Sequence, residues 1–123
     1  MEKDWYFSDE NGICHFRSAG LLIRNNKILL QHVKNEYALP GGHVKFVEMA
    51  EASLIREFKE EIGADISCDR MIWVEENFWM WEGTRAHGLA FYYLVSLKNS
   101  SNIPDDFARY SRIARMCSCT GFQ

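Results

Sequence analysis

The chain has 123 residues, with 14 Lys and Arg against 17 Asp and Glu, a formal net charge of -3 and 47% hydrophobic residues. A chain of this size buries roughly two thirds of the surface that its unfolded form exposes, so we expect a single domain spanning 1–123 with one core. The high apolar content and the small net charge exclude intrinsic disorder. The acidic balance argues against a nucleic-acid polymer or an anionic membrane as the main partner.

The cysteines are predicted to be reduced structural thiols, because a chain with its own apolar core needs no disulfide framework. They are Cys14, Cys68, Cys117 and Cys119. Neither the Cys-His pair near the N-terminus nor the Cys-x-Cys near the C-terminus has the spacing of a zinc site. Charged side chains among the first twenty residues argue against a signal peptide, and the longest apolar stretch is too short to cross a bilayer. We therefore expect a cytoplasmic protein.

Two short runs rich in Leu and Ile, Ser18 to Arg24 and Lys27 to His32, predict a pair of strands. They are separated by Asn25-Asn26, and asparagine tolerates the left-handed backbone of a tight hairpin turn. The segment from Tyr37 to Gly42 then breaks regular structure. Pro40 withholds a backbone donor there, and two glycines permit close approaches that other residues do not. We expect another group to lie close to this backbone.

The spacing of Leu54, Phe58 and Ile62 by four residues predicts a helix from about Met49 to Ile62. Gly63 follows at the position of a C-cap glycine. The start of the helix is less well marked, because no capping side chain precedes it.

Two runs of β-branched and aromatic residues, Arg70 to Trp81 and His87 to Leu97, predict a second hairpin linked through Glu82 to Arg85. The segment 98–123 is atypical, since a polar loop leads into a predicted short helix. The apolar side of this helix would consist of Phe107, Tyr110, Ile113 and Ala114.

Three glutamates of the predicted helix, Glu57, Glu60 and Glu61, lie at i, i+3 and i+4, so their carboxylates share one helix face. Like charges on adjacent turns repel one another and favour a divalent cation. Their hard oxygen ligands suit Mg²⁺ or Mn²⁺. The alternative is a solvated surface on which Arg56 and Lys59 neutralise the charge.

The spacing upstream of these glutamates favours the metal site. Gly42 is followed after five residues by Glu48, and after seven more by the run from Arg56 to Ala64. This pattern fills all the fixed positions of the Nudix box, a match with a chance on the order of 10⁻⁸ to 10⁻⁹ at any one start position. The chain therefore resembles the Nudix hydrolases over Gly42 to Ala64, although Val47 stands where relatives often carry glycine.

The resemblance implies an α/β/α sandwich with a mixed β-sheet, which could lack the usual C-terminal strand and helix because the chain is short. In that case a partner subunit completes the sheet, or the chain end is altered. The implied reaction is Mg²⁺-dependent hydrolysis of the pyrophosphate bond in a nucleoside diphosphate linked to another moiety. Glu48 and Arg56 would assist catalysis by holding the loop and helix in register as an ion pair. The implied catalytic metal ligands are Glu57, Glu60, Glu61 and the Gly41 carbonyl.

Residues outside the box keep more than one interpretation. A further carboxylate is expected, and the candidates are Glu75, Glu76 and Glu82. Arg85 and His87 either contact phosphate or are merely exposed. The aromatic residues of the second hairpin either stack on a substrate ring or form the sheet core or a homodimer face. They are Trp73, Phe78, Trp79, Trp81, Phe91, Tyr92 and Tyr93.

Two other classes of protein compete with a hydrolase. One is a Nudix-like module that binds a nucleotide with little or no turnover, and the other is a purely structural subunit that binds no metal.

Overall fold

The computed structural model describes residues 3–33, 36–98 and 113–118. In these ranges the structure contains eight strands and one helix, with five strands before the helix and three after it. The strands are β1 (Tyr6–Asp9), β2 (Gly12–Arg24), β3 (Lys27–Val33), β4 (Glu36–Ala38), β5 (Gly41–His43), β6 (Ile66–Trp81), β7 (Thr84–Leu97) and β8 (Ile113–Ser118). The helix, α1 (Ala50–Glu61), lies between β5 and β6 in the chain.

Both predicted hairpins are present, and each closes on a two-residue turn. Asn25 and Asn26 have φ angles of 51° and 63°, the left-handed backbone that asparagine tolerates. The second hairpin is longer than predicted, because its turn consists only of Glu82 and Gly83, with φ angles of 48° and 80°.

The sheet is mixed, as predicted. Its main path runs β4-β3-β2-β7-β6, while β1 and β5 also pair with β2. Strands β2 and β7 are parallel from Ile13 opposite Ala86 to Leu22 opposite Val95. The remaining strand pairs are antiparallel. Strand β2 is therefore the shared neighbour of the segment before α1 and of the hairpin after it.

The C-terminal segment differs from its prediction. Ile113 and Ala114 begin strand β8, which pairs antiparallel with β3, so the predicted short helix does not include them. Phe107 and Tyr110 lie outside the described residues. A strand therefore follows β7 and pairs within this chain, which corrects the expectation that it could be missing. Strand β8 is opposed by six residues of β3, a long-range pairing that the local spacing of residues in the tail could not reveal.

Helix α1 packs against one face of the sheet. Leu54 and Phe58 are completely buried, and a Cβ atom on Gly20 of β2 would lie 2.9 Å from the Phe58 ring. The helix therefore approaches β2 where the strand lacks a side chain. The core cluster joins both layers and consists of Leu22, Leu29, Leu54, Phe58, Ile62, Ala64, Ile66, Tyr93 and Val95.

No helix in the described part of the chain has the length and hydropathy needed to cross a bilayer. Cys14 and Cys68 are free thiols, as predicted. The single-domain assignment, the cytoplasmic location and the homodimer stay predictions.

Candidate active site

The glycine pair before the helix forms a strand rather than the predicted loop. Gly41 lies opposite Ala19 and Gly42 lies opposite Ser18 in the β5–β2 ladder. A Cβ atom on Gly41 would lie 2.0 Å from the Ser18 carbonyl oxygen. A Cβ atom on Gly42 would lie 2.4 Å from the carboxyl carbon of Glu57. The expected close approach therefore occurs twice, to the β2 backbone at Gly41 and to a helix carboxylate at Gly42.

Backbone and hydroxyl contacts fix the position of α1. The helix begins after Met49, which has no side-chain cap, in agreement with the weakly marked start. Ser53, in the first turn, donates to the His43 carbonyl at 3.4 Å and accepts a hydrogen bond from the Ser18 hydroxyl at 3.3 Å. At the other end Gly63 has a φ of 81° and donates its N–H to the helix carbonyls, which confirms the C-cap.

The predicted ion pair between Glu48 and Arg56 is present and bidentate. Arg56 Nε donates to Glu48 Oε2 at 2.9 Å, and Nη2 donates to Oε1 at 3.0 Å. Glu48 Oε1 also accepts the backbone N–H of Lys45 at 3.0 Å. Val47 has a φ of 62°, a strained conformation for a β-branched residue at the position where relatives often carry glycine. The ion pair thus holds a tight turn against the helix.

Arg56 also connects two of the three helix glutamates. Its Nη1 donates to Glu57 Oε1 at 3.0 Å and to Glu60 Oε2 at 3.3 Å. Glu57 is mostly buried, whereas the Glu60 side chain is more than half exposed. Burial raises the pKa of the Glu57 carboxyl, Arg56 lowers it, and repulsion from Glu60 and Glu61 raises it further. The net effect is a raised pKa. Arg56 therefore does not fully offset the cost of holding a charged Glu57 carboxylate in this buried position beside two other glutamates.

The oxygen atoms available as ligands on this helix face are of the kind that a hard cation prefers. Three carboxylates on adjacent turns supply oxygen ligands, and the missing Cβ of Gly42 leaves the space that the Glu57 carboxylate occupies. A divalent cation would stabilise the ionised form of Glu57 and so oppose the two effects that raise its pKa, which are burial and repulsion from the neighbouring glutamates. Within the described residues, however, no three His, Cys, Asp or Glu side chains are grouped closely enough to hold a metal ion. The carboxylates share a face, and Arg56 bridges two of them.

The candidate carboxylates outside the box lie apart from one another. Glu76 Oε2 is 2.8 Å from His87 Nε2 on the same side of the sheet as α1, where both side chains are about half exposed. Glu75 Oε1 accepts a hydrogen bond from the Tyr92 hydroxyl. This pair lies on the other face of the sheet, because successive residues of a strand point in opposite directions. Glu82 lies in the β6–β7 turn.

The aromatic residues of the second hairpin divide between two environments. Tyr93 is buried in the core, but Phe78 is 71% exposed and the hairpin tryptophans remain at least about a third exposed. The sheet-core interpretation is therefore correct for Tyr93 and wrong for the aromatic residues of β6. A cavity of about 330 Å³ adjoins several of them on the face opposite α1. The sequence did not reveal this cavity, because its walls come from three strands.

The pairing of Glu48 with Arg56 is expected to stabilise the fold in a pH-dependent way. Hydrogen bonding to Arg56 lowers the pKa of Glu48 below its ordinary value of 4.5, an effect that burial partly opposes. The stabilisation is therefore present above about pH 4.5 and is lost as the pH falls through the folded-state pKa. We expect Glu48→Gln to lower the free energy of unfolding by about 1–3 kcal/mol at pH 7.

Urea denaturation of both proteins between pH 3 and pH 7 measures this contribution. The stability difference should shrink in the acidic samples. Glu10→Gln is the control, since Glu10 is exposed in the β1–β2 turn, and it should change stability by less than about 0.5 kcal/mol. An equal difference at pH 3 and pH 7 would contradict the assignment.

Comparisons with known proteins agree with this arrangement. The family profile described as "NUDIX domain" matches residues 15–119. An ADP-ribose pyrophosphatase of Methanocaldococcus jannaschii is 45% identical over 49 residues, which cover 36% of this chain and 29% of that protein. The chain therefore spans less than a third of the length of this curated relative.

Solved structures show a similar fold at low sequence identity. A NUDIX hydrolase from Nitrosomonas europaea superposes with a TM-score of 0.68 at 19% identity, covering 87% of this chain and 74% of that one. A MutT NUDIX hydrolase from Burkholderia pseudomallei gives 0.65 at 22% identity, covering 85% and 83%. A UDP-X diphosphatase gives 0.65 at 18% identity, covering 85% of this chain and 50% of its own. These likenesses confirm the predicted fold class. Because the family profile spans most of the chain and includes the whole box, this protein belongs to the NUDIX family.

Proposed function

We propose that this chain hydrolyses the pyrophosphate bond of a nucleoside diphosphate linked to another moiety, with Mg²⁺ as the cofactor. The observation that carries the proposal is that residues from separate parts of the box lie together on one surface. Gly42 makes room for the buried Glu57 carboxylate, and Arg56 ties the preceding turn to the same helix face. Two similar proteins are named as diphosphate-cleaving enzymes, an ADP-ribose pyrophosphatase and a UDP-X diphosphatase.

Each box residue has a defined part in this proposal. Glu57, Glu60, Glu61 and the Gly41 carbonyl would hold Mg²⁺, or Mn²⁺ in its place. When bound, the cation supplies Lewis acidity, which neutralises phosphate charge and acidifies a water molecule. A carboxylate near that water molecule would accept its proton. Glu48 keeps Arg56 in place and so positions the carboxylates, without contacting the substrate.

A second candidate function is nucleotide binding with little or no turnover. The observation that favours it is the contact of Arg56 Nη1 with both Glu57 and Glu60, since this guanidinium already neutralises two of the proposed ligands. Hydrolysis requires that the carboxylates exchange this contact for a cation.

A chromatographic assay of product release separates the two functions, because hydrolysis of the pyrophosphate bond yields a nucleoside monophosphate and a second phosphorylated product, with no free phosphate. We expect the purified protein to cleave at least one member of a panel containing ADP-ribose, UDP-linked compounds and nucleoside triphosphates in the presence of Mg²⁺. Chelation of the metal with EDTA should abolish the release, and added Mg²⁺ or Mn²⁺ should restore it. Tight nucleotide binding by calorimetry without release from any member would favour the binding module. Release that continues in EDTA would contradict the proposed cofactor.

A further inference from the structure

Strand β6 lies at one end of the main sheet path, and its outer edge has no partner strand in the described residues. From Trp73 to Trp81 it pairs with β7 without interruption, because both register shifts of this strand lie before Trp73. Nine consecutive residues, about 30 Å of strand, therefore direct free backbone N–H and C=O groups outward at regular intervals. An edge of this kind can pair with a further strand.

The edge segment lacks the usual protection against such pairing. Natural edge strands are often protected by lysine, proline or a bulge, and the segment from Trp73 to Trp81 contains none of these. Its large apolar side chains lie on both faces of the sheet, since successive residues point in opposite directions. They are 36% to 71% exposed and comprise Trp73, Val74, Phe78, Trp79, Met80 and Trp81. So much exposed apolar surface on one strand indicates a protein interface.

The two acidic residues of the segment restrict how a second copy of the strand can pair with it. In an antiparallel pair related by a two-fold axis, the residue on the axis lies opposite its own copy. An axis at Glu75 or at Glu76 would place two carboxylates directly opposite each other, which is destabilising. Asn77 is the centre of the nine residues, so an axis at Asn77 avoids this repulsion and pairs the whole segment.

This register brings apolar side chains together on both faces. Trp73 lies opposite Trp81 of the second copy, on the sheet face away from α1. Val74 lies opposite Met80 of the second copy, on the same side as α1. Each pair occurs twice by symmetry, and cross-strand pairs of large apolar side chains stabilise a sheet.

The ends of the paired segment are complementary in charge. Glu82 follows Trp81 in the β6–β7 turn, and Arg70 lies shortly before Trp73 on β6. The register therefore brings Glu82 of one copy to the end of the strand at which Arg70 of the other copy lies. Both side chains are exposed, and neither forms an ion pair with another described residue. Two reciprocal contacts of opposite charge would thus flank the interface.

We propose that the outer edge of β6 is a dimerisation surface, on which a second copy of this chain pairs antiparallel with the two-fold axis at Asn77. The sheets of the two copies then form one continuous sheet. The proposal does not depend on the proposed hydrolysis, because the paired segment contains no residue of the box.

Sedimentation velocity of the full chain tests whether the molecules associate. Between about 1 and 100 µM protein, the mean mass should rise from that of a monomer toward that of a dimer, as expected of an interface smaller than the standard size. A monomer throughout this range would overturn the proposal.

A cysteine on the axis tests the register. In a background in which the four native cysteines are serine, Asn77→Cys should form a disulfide-linked dimer on mild oxidation, because the two thiols face each other. The matched control is Met80→Cys, another exposed position of the same strand. Its two copies would lie about 20 Å apart and should not cross-link. Equal cross-linking of both variants, or cross-linking of neither, would overturn the register.

Charge reversal tests the ends of the interface in the chain with its native cysteines. Arg70→Glu and Glu82→Arg should each raise the Kd of the dimer by about threefold to tenfold, since like charges then meet at both ends. The double variant restores opposite signs, so its Kd should return to within about twofold of the wild-type value. Unchanged Kd values in the single variants, or additive weakening in the double variant, would contradict the proposed pairing.

Discussion

Glu60→Gln and Glu61→Gln are each expected to lower kcat/KM by at least about 100-fold, equivalent to about 3 kcal/mol of transition-state stabilisation. The amide of glutamine keeps the shape of the carboxylate but loses the charge that a hard cation requires. Glu60 is more than half exposed and Glu61 is the last residue of α1, so neither change should reduce the melting temperature appreciably.

The assay for these variants uses the substrate that the wild type cleaves best, with Mg²⁺ in excess, together with a calorimetric titration of the metal. Glu51→Gln is the matched control, because Glu51 is an exposed glutamate in the first turn of the same helix. It should retain nearly full activity. Full activity in both the Glu60 and the Glu61 variants would refute the assignment of the metal ligands.

Gly42→Ala is expected to lower kcat/KM by about 10-fold to 100-fold while the protein stays folded. The new methyl group would lie 2.4 Å from the Glu57 carboxyl carbon, which is the movable end of a side chain. The carboxylate would therefore shift by about 1 Å, a displacement of the size that costs catalysis strongly. Circular dichroism and thermal melting should be close to those of the wild type.

Gly41→Ala is the contrasting variant, because the obstacle there is backbone. Its Cβ atom would lie 2.0 Å from the Ser18 carbonyl oxygen and 2.7 Å from the Ala19 Cα atom. We expect a loss of at least about 3 kcal/mol in the free energy of unfolding, since a ladder between β5 and β2 must separate. If Gly42→Ala destabilised the protein as much as Gly41→Ala, the specific effect on Glu57 would be disproved.

Local patterns in the sequence were sufficient for the elements that depend on neighbouring residues. The four-residue spacing of Leu54, Phe58 and Ile62 predicted α1 to within about a residue at each end. Asn25-Asn26 predicted the first hairpin turn because the left-handed conformation is a property of asparagine itself. The Glu48–Arg56 pair was implied by the resemblance of the box to the Nudix family, and the structure contains it.

The elements that were missed depend on partners far away in the chain. Gly41 and Gly42 weaken a strand locally, yet β5 forms because Ser18 and Ala19 offer a ladder that only glycine can approach. Strand β8 was missed for the same reason, since β3 supplies its partner groups. The cavity of about 330 Å³ depends on the registers of β2, β7 and β6 together, and these registers cannot be inferred from the sequence of any single strand.

The parallel pairing of β2 with β7 also sets the order in which this protein can mature. During synthesis, residues near position 13 cannot pair with their partners near position 86 until those partners have emerged from the ribosome. Closing so long a loop is also entropically costly and slow. Helix α1 and β5 can meet β2 earlier, so the glutamate face can assemble before β7 has paired with β2. A nascent chain at that stage would hold the proposed metal ligands beside an unpaired edge of β2, which is the aggregation-prone interval of its synthesis.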